Sequence, residues 1–170
     1  MCLAISSLMY FLSGIVVAGD GDGDSPVVKV HAYQREVVPG VPGSPQGKSA
    51  APAREQFSIY LETHPASKFE IVGVWMKGTE YAVKTAAKAS PVRFDNPVVF
   101  EQEEKNIAVP KTEYPVTEII VTSPKPNKAP DKELARLLKH KQAVVELRSG
   151  GKTIWVPVKA FQKRAPVFLR

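Results

Sequence analysis

Histidine is the side chain best suited to hold a metal or transfer a proton near neutral pH, and the chain contains three: His31, His64 and His140. None has a second histidine four residues away, the spacing that places two zinc ligands on one helix face. The chain also lacks a G-x-S-x-G elbow and a Walker loop. The sequence therefore predicts no catalytic residue, no metal ligand and no cofactor, and a protein that is not an enzyme.

Acidic residues form two groups that resemble functional sites only in part. Asp20, Asp22 and Asp24 alternate as at the start of an EF-hand calcium loop, but Ser25 and His31 occupy the positions that need glycine and glutamate. The second group is a carboxylate cluster within residues 101–104, where neighbouring polar residues are typical of a solvated loop. Residues 19–25 are predicted to be a flexible Asp/Gly linker, and neither group is predicted to bind metal or catalyse a reaction.

Three aromatic residues flank glycine-containing turns and form a candidate ligand-stacking set. Trp75 and Tyr81 lie on either side of Gly78, and Trp155 follows the Gly150-Gly151 pair. Aromatic rings near turns can stack on a sugar or a peptide when they are exposed. The alternative is that the same rings are part of the hydrophobic core.

Positive charge is concentrated at the C-terminal end of the chain. The formal net charge is +6, and residues 125–170 hold twelve basic and three acidic residues. Spacings of three and four residues place Lys132, Arg136 and Lys139 on neighbouring turns of a predicted helix. With Lys152 and Lys163 they form a candidate anion-binding patch, because a one-sided basic surface attracts anionic partners. The alternative is an ordinary solvated face.

The N-terminal segment resembles a secretory signal. Residues 1–19 contain no charged side chain and are mostly apolar, and Val16 and Ala18 suit the −3 and −1 positions of a cleavage site. We expect residues 1–18 to be a signal peptide, although no Lys or Arg precedes the apolar run. A buried segment of the fold and an uncleaved anchor are the alternatives. The single cysteine, Cys2, lies inside this segment, so residues 19–170 hold no disulfide.

Short runs of β-branched and aromatic residues, separated by Gly and Pro, predict strands through most of the chain. A helix is predicted over about residues 132–140, where leucines recur at helical spacing after a candidate N-cap at Asp131. A Pro/Gly-rich loop is predicted at about residues 38–54, because proline interrupts central strands. The predicted strands are Val27–Tyr33, Gln56–Glu62, Phe69–Met76, Thr79–Lys84, Val92–Phe94, Pro97–Glu101, Asn106–Val109, Val116–Thr122, Gln142–Arg148 and Thr153–Val158.

These elements predict a mostly β protein. Many short strands with turn signals between them favour a single-domain antiparallel β-sandwich of immunoglobulin-like architecture over residues 26–170, with one short helix. The Cys…Trp…Cys pattern of true immunoglobulin domains is absent, and a partly open barrel is the alternative. The strand at Val74 and Trp75 is apolar on both faces, so it is predicted to be central and buried.

The expected function is that of an exported, non-enzymatic binding module located in the periplasm, in the cell envelope or outside the cell. Its expected partner is a protein or an anionic envelope component, and nucleic acid is not expected because the chain is exported. No transmembrane helix is expected in the mature chain. The alternative is a small ligand- or carbohydrate-binding module that uses the turn-flanking aromatics.

The signal-peptide hypothesis predicts the N-terminus of the exported protein. N-terminal sequencing of that protein should begin at Gly19 or within two residues of it, because Val16 and Ala18 fit the processing site. A cytosolic product that retains Met1 would contradict export. It would indicate instead that the apolar segment is part of the folded domain.

Overall fold

The computed structural model describes residues 16–17, 25–39, 52–94, 106–126 and 129–169. The predicted signal peptide apart from Val16 and Val17, nearly all of the predicted linker, the 101–104 cluster and the predicted strand Pro97–Glu101 lie outside these residues. Most of the predicted Pro/Gly-rich loop also lies outside them.

Twelve strands and one helix are assigned within the described ranges. Their bounds are β1 Val16–Val17, β2 Val27–Pro39, β3 Arg54–Thr63, β4 Glu70–Met76, β5 Thr79–Lys88, β6 Val92–Arg93, β7 Ile107–Val109, β8 Val116–Pro124, α1 Lys132–Leu138, β9 Ala143–Ser149, β10 Lys152–Val158, β11 Gln162–Lys163 and β12 Val167–Leu169.

Ten of the strands form one sheet in the order β1-β10-β9-β4-β5-β8-β3-β2-β11, with β12 also paired to β2. Neighbours from β10 through to β2 are antiparallel, whereas β1, β11 and β12 each pair in parallel. Strands β6 and β7 form a separate two-stranded sheet. The prediction of a mostly β chain with one short helix is confirmed.

Two hairpins depend on tight turns at the positions predicted from glycine. Lys77 and Gly78 have φ of 50° and 81°, and Gly150 and Gly151 have φ of 54° and 77°. Two consecutive residues with positive φ form the two-residue loop whose twist matches that of paired strands. These turns join β4 to β5 and β9 to β10, and so fix the register of four central strands.

One face of the large sheet holds a single aliphatic core. Its buried members come from strands along the sheet from β2 to β10: Ala32, Ile59, Leu61, Val74, Met76, Ile119, Ala143, Val145, Leu147, Ile154, Val156 and Val158. Because strands far apart in the sheet contribute to one cluster, the sheet curls around it. Burying this apolar surface is the main favourable contribution to folding.

Helix α1 covers part of the other face. The Asp131 carboxylate accepts a hydrogen bond from the Leu134 amide at 2.8 Å, which caps the helix as predicted. Leu134 then packs with Trp75, Val144 and Trp155 on β4, β9 and β10. Both tryptophans are therefore enclosed between helix and sheet.

The β6–β7 pair covers the same outer face over β2, β3 and β8. Val92 and Val109 pack there with Tyr33, Tyr60 and Val116. The Tyr33 hydroxyl donates a hydrogen bond to the Ala108 carbonyl at 2.6 Å and ties the small sheet to the large one. The strands thus form one curled sheet with a small second sheet on its outer face, and the immunoglobulin-like arrangement stays a prediction.

Val74 and Trp75 are both 0% exposed and lie in β4, between β9 and β5. The prediction that this strand is central and buried is confirmed. Within the described part of the chain, no helix has both the length and the apolar character needed to cross a membrane.

Replacing Trp75 tests the packing of α1 on the sheet. We expect Trp75→Ala to lower the free energy of unfolding by about 3–5 kcal/mol, because a large buried side chain leaves a cavity. Urea unfolding measures the loss, and Val28→Ala, at a site 40% exposed, is the control expected to change it by less than about 0.5 kcal/mol. An unchanged unfolding midpoint for Trp75→Ala would contradict the burial of this ring.

Candidate functional site

The candidate anion-binding residues do not gather at one place. Lys132 and Arg136 line one shallow depression on α1, and Lys139 is the residue that caps the C-terminal end of the helix. Lys163 lines a different depression beside β2, together with Arg35.

Lys152 lies at the first position of β10, opposite Ser149 at the end of the β9–β10 hairpin. The Ser149 hydroxyl donates a hydrogen bond to the Lys68 carbonyl at 2.6 Å, so this serine ties the hairpin to the segment before β4. Of the five candidate cations, Lys132 and Arg136 line the same depression.

The candidate stacking residues are mostly enclosed. Trp75 is 0% exposed and Trp155 is 4% exposed, so neither indole presents a ring face to solvent. Tyr81 is half-buried and packs against the aliphatic core. Stacking of a ligand on the two tryptophans would require α1 to leave the sheet.

A groove lies where the curled sheet brings two strand edges close together. Residues 27–32 of β2 pair with β3 on one side, whereas β11 and β12 pair with β2 only from Tyr33 onward. β10 pairs with β9 along its length, and on its other side the described residues of β1 pair with Ile154 and Trp155. A groove of about 450 Å³ separates these two edges.

The groove combines an apolar lining with three cations. Lys29, Lys141 and Lys159 are the only charged side chains among the described residues that line it. Its apolar lining is formed by Val27, Val28, Val30, Ala32, Val156, Pro157, Val158 and Ala160. The walls therefore hold a positive field next to apolar surface, which suits an anionic ligand with apolar parts.

A β-bulge shapes the β2 side of the groove. The pairing of β2 with β3 shifts between Val27 and Lys29, so Val28 is the extra residue and is 40% exposed. It is the large hydrophobic side chain that the described part of the protein leaves most open to solvent. This exposed apolar side chain lines the groove.

The sequence signal for this groove is weak. Lys141 and Lys159 belong to the basic C-terminal third, but nothing in the sequence separates them from the other cations there. Lys29 comes from a part of the chain with balanced charge. Only the closure of the sheet brings the three together.

A buried polar cluster lies on the outer face beside the β2 edge. His31 Nε2 lies 2.6 Å from Glu62 Oε1, and the Thr112 hydroxyl donates to Glu62 Oε2 at 2.7 Å. The Ser90 hydroxyl donates to the Thr112 carbonyl at 2.8 Å and extends the cluster to the segment before β6. Burial raises the pKa of Glu62, but the two hydrogen bonds and the charges of His31 and Lys29 lower that pKa below its ordinary value.

The other buried carboxylates also have specific partners. Glu118 accepts a hydrogen bond from the Tyr60 hydroxyl at 2.9 Å and pairs with Lys88 at 3.0 Å. Glu80 pairs with Lys125 at 2.6 Å, and Glu146 accepts from the Trp75 indole at 2.9 Å. These carboxylates hold strands together, which is a structural role.

The histidines lie apart, in three different settings. His31 contacts Glu62, the His64 ring packs edge-on against Tyr114 with centroids 5.9 Å apart, and His140 follows α1. Among the residues that the structure describes, no group of three His, Cys, Asp or Glu side chains has the geometry of a metal site.

The lowered pKa of Glu62 predicts how stability depends on pH. A carboxyl group whose pKa falls on folding stabilises the protein above its ordinary pKa of 4.5, and that contribution disappears as pH drops through the lowered value. We expect Glu62→Gln to cost about 1–3 kcal/mol at pH 5.5 and less at pH 3. Urea unfolding at both pH values measures the difference, with the exposed Glu70→Gln as control. A cost that grows towards pH 3 would contradict this linkage.

Comparisons with known proteins show no similarity that assigns a family: no family model matches the chain, and neither a curated protein nor a solved structure is similar to it.

Proposed function

We propose that this protein is an exported, non-enzymatic binding module whose binding site is the groove between β2 and β10. The observation that carries the proposal is the combination of two strand edges, an apolar lining and the cations of Lys29, Lys141 and Lys159. The partner is an anionic molecule with apolar parts, either a protein or an envelope component. Nucleic acid is not the proposed partner, because an exported chain does not meet it.

The groove residues themselves support binding rather than catalysis. The described lining contains no histidine, cysteine, serine or carboxylate that could act as a nucleophile or a general base. The buried carboxylates elsewhere are engaged with His31, Lys88, Lys125 and the Trp75 indole. Lysine side chains next to apolar surface supply attraction and contact area, which is what a binding site needs.

Export is supported by the sequence at the N-terminus, and cleavage after Ala18 would remove β1 from the edge of β10. The apolar, uncharged segment that precedes the predicted linker has the layout of a secretory signal. We also propose a sandwich-like architecture, supported by the small β6–β7 sheet that packs face to face on β2, β3 and β8. The carbohydrate-binding alternative loses support because both tryptophan rings are buried.

Two charge-matched variants test the location of the site. The groove variant is Lys29/Lys141/Lys159→Gln and the helix variant is Lys132/Arg136/Lys139→Gln, so each removes three positive charges. The probes are poly-L-glutamate and vesicles of phosphatidylglycerol, which represent an acidic protein and an anionic envelope lipid. Fluorescence titration at low salt measures the dissociation constant of each.

We expect the parent chain to bind at least one probe and the groove variant to bind it about tenfold more weakly. That loss corresponds to about 0.5 kcal/mol for each of three partly exposed charges. The helix variant should stay within about threefold of the parent. Equal affinities for the two variants, or no binding of either probe by the parent, would refute the proposed site.

A further inference from the structure

We propose that the protein has a second binding site, for a small neutral saccharide, in a cleft where β4 and β5 separate. The residues that line this cleft differ from those of the groove between β2 and β10, so the inference stands independently of the proposed function. It also differs from the stacking hypothesis, because neither tryptophan lines the cleft.

The separation of β4 and β5 is built into the sheet. The two strands pair only beside the turn that joins them. Beyond that turn β4 continues along β9, and β5 continues along β8. Lys125 lies where the strands part, since its ammonium group donates to the Val72 carbonyl at 3.0 Å and to Glu80 at 2.6 Å. A cleft of about 710 Å³ opens there, lined by Ile71 on β4 and Thr85 on β5.

Three threonines continue the inner face of the sheet, the face that holds the aliphatic core. Each lies two residues along its strand from a residue that packs in that core, as Thr63 from Leu61, Thr85 from Val83 and Thr117 from Ile119. Because residues two apart in a strand share a face, all three threonines face inward. Thr85 is exposed and Thr117 is half-buried, and their hydroxyls form no hydrogen bond with the described residues. The inner face therefore offers hydroxyl donors and acceptors where the cleft opens.

The charged side chains of the cleft balance each other. Lys68 and Glu70 line it and are both exposed, and neither forms an ion pair with a described residue. With His64 neutral, the described lining carries one positive and one negative charge. The Ser67 hydroxyl adds a further donor and acceptor. A ligand without net charge but with many hydroxyl groups matches this set, whereas the groove lined by three lysines favours an anion.

Apolar surface lies beside these polar groups. Phe69 and Ile71 line the cleft and pack against the aliphatic core, and Pro65 and Pro115 extend the apolar lining. A sugar ring has polar edges and apolar C–H faces, so it can contact an aromatic or aliphatic wall while its hydroxyls form hydrogen bonds. The volume of the cleft also lies within the range of small-molecule sites, about 300–1,000 Å³.

Contacts outside the lining hold the walls of the cleft in place. The Thr63 amide donates to the Pro115 carbonyl at 3.0 Å, which joins the end of β3 to the start of β8. The Ser149 hydroxyl donates to the Lys68 carbonyl at 2.6 Å, which ties the segment before β4 to the β9–β10 hairpin. A site whose walls are already fixed loses little conformational entropy when a ligand binds.

Titration of the full chain with saccharides tests this site. The neutral probes are maltose, lactose and diacetylchitobiose, and glucuronate is the anionic comparison. Two-dimensional NMR of the ¹⁵N-labelled protein follows the amide signals during each titration. It gives the dissociation constant and, on the unmutated chain, the location of the bound sugar.

Two pairs of substitutions provide matched variants. The cleft variant is Thr85→Val/Thr117→Val, which removes two hydroxyls and nearly keeps the shape of the side chains. The control is Thr122→Val/Thr153→Val, which changes two threonines of β8 and β10 outside the cleft lining. The groove variant described above is a second control, because its three lysines do not line the cleft.

We expect at least one neutral saccharide to bind the parent with a dissociation constant below about 10 mM and to shift the amide signals of residues 63–71 and 115–117. The cleft variant should bind it about tenfold more weakly, because two hydrogen bonds are lost, and both controls should stay within about threefold of the parent. Unchanged amide signals far from residues 85 and 117 show that the cleft variant is folded.

Three results would overturn the inference. The first is that no neutral saccharide binds saturably, or that its shifts lie outside the cleft. The second is equal affinity of the cleft variant and the parent. The third is tighter binding of glucuronate than of every neutral probe, which would contradict the assigned ligand class. None of these results involves the groove lysines, so the proposed function is decided only by its own titrations with poly-L-glutamate and phosphatidylglycerol vesicles.

Discussion

The curl of the large sheet is the constraint on which the rest of the structure depends. The aliphatic residues on the inner face of the ten-stranded sheet come from strands that are far apart in the strand order, from β2 to β10. They can be buried in one cluster only if the sheet bends around them. The interior is built mainly from Val, Ile, Leu and Ala, whose close packing favours one curvature. Bending brings β2 and β10 close together without pairing them among the described residues, and the groove lies between these two strands.

The outer face of the curled sheet is stabilised differently. Two small covers, α1 and the β6–β7 sheet, enclose tryptophan and tyrosine rings there. Between these rings lie carboxylates that would be costly to bury alone, and each has a hydrogen-bond donor or a cation beside it. Glu80 shows the arrangement well: Lys125 contacts it at 2.6 Å and also donates to the Val72 carbonyl at 3.0 Å. These polar contacts favour one register between neighbouring strands, because aliphatic side chains alone distinguish poorly between alternative pairings.

Close backbone approach adds to this constraint at Gly73. A Cβ atom there would lie 3.0 Å from the Tyr81 carbonyl oxygen and 3.1 Å from a carboxylate oxygen of Glu80. The pairing of β4 with β9 also shifts between Ile71 and Gly73. The ion pair of Glu80 with Lys125 thus occupies the space that any side chain at position 73 would need. The central strand is therefore fixed by polar contacts as well as by burial.

Local patterns in the sequence predicted most of the strands and the helix, but not the curl that brings β2 and β10 close together. The β4–β5 and β9–β10 hairpins and α1 follow from glycine-containing turns, β-branched runs and the Asp131 cap, which act over a few residues. β2 extends to Pro39, well beyond the predicted end at Tyr33, because pairing with β3, β11 and β12 holds residues 34–39, which include the polar run Gln34 to Glu36. β11 and β12 contain two and three residues, too few for a periodic signal. The burial of Trp155 beneath α1 is a contact between distant segments, so turn position alone did not reveal it.

The position of the basic residues in the sequence predicts only part of the charge at the groove. Counting residues along the chain locates the excess of positive charge in residues 125–170, and two of the three groove lysines come from that region. The third, Lys29, belongs to β2 and reaches the groove because the sheet curls. Meanwhile Lys125, from the basic region, is engaged with Glu80. The field at the groove therefore depends on which cations the fold places at its rim.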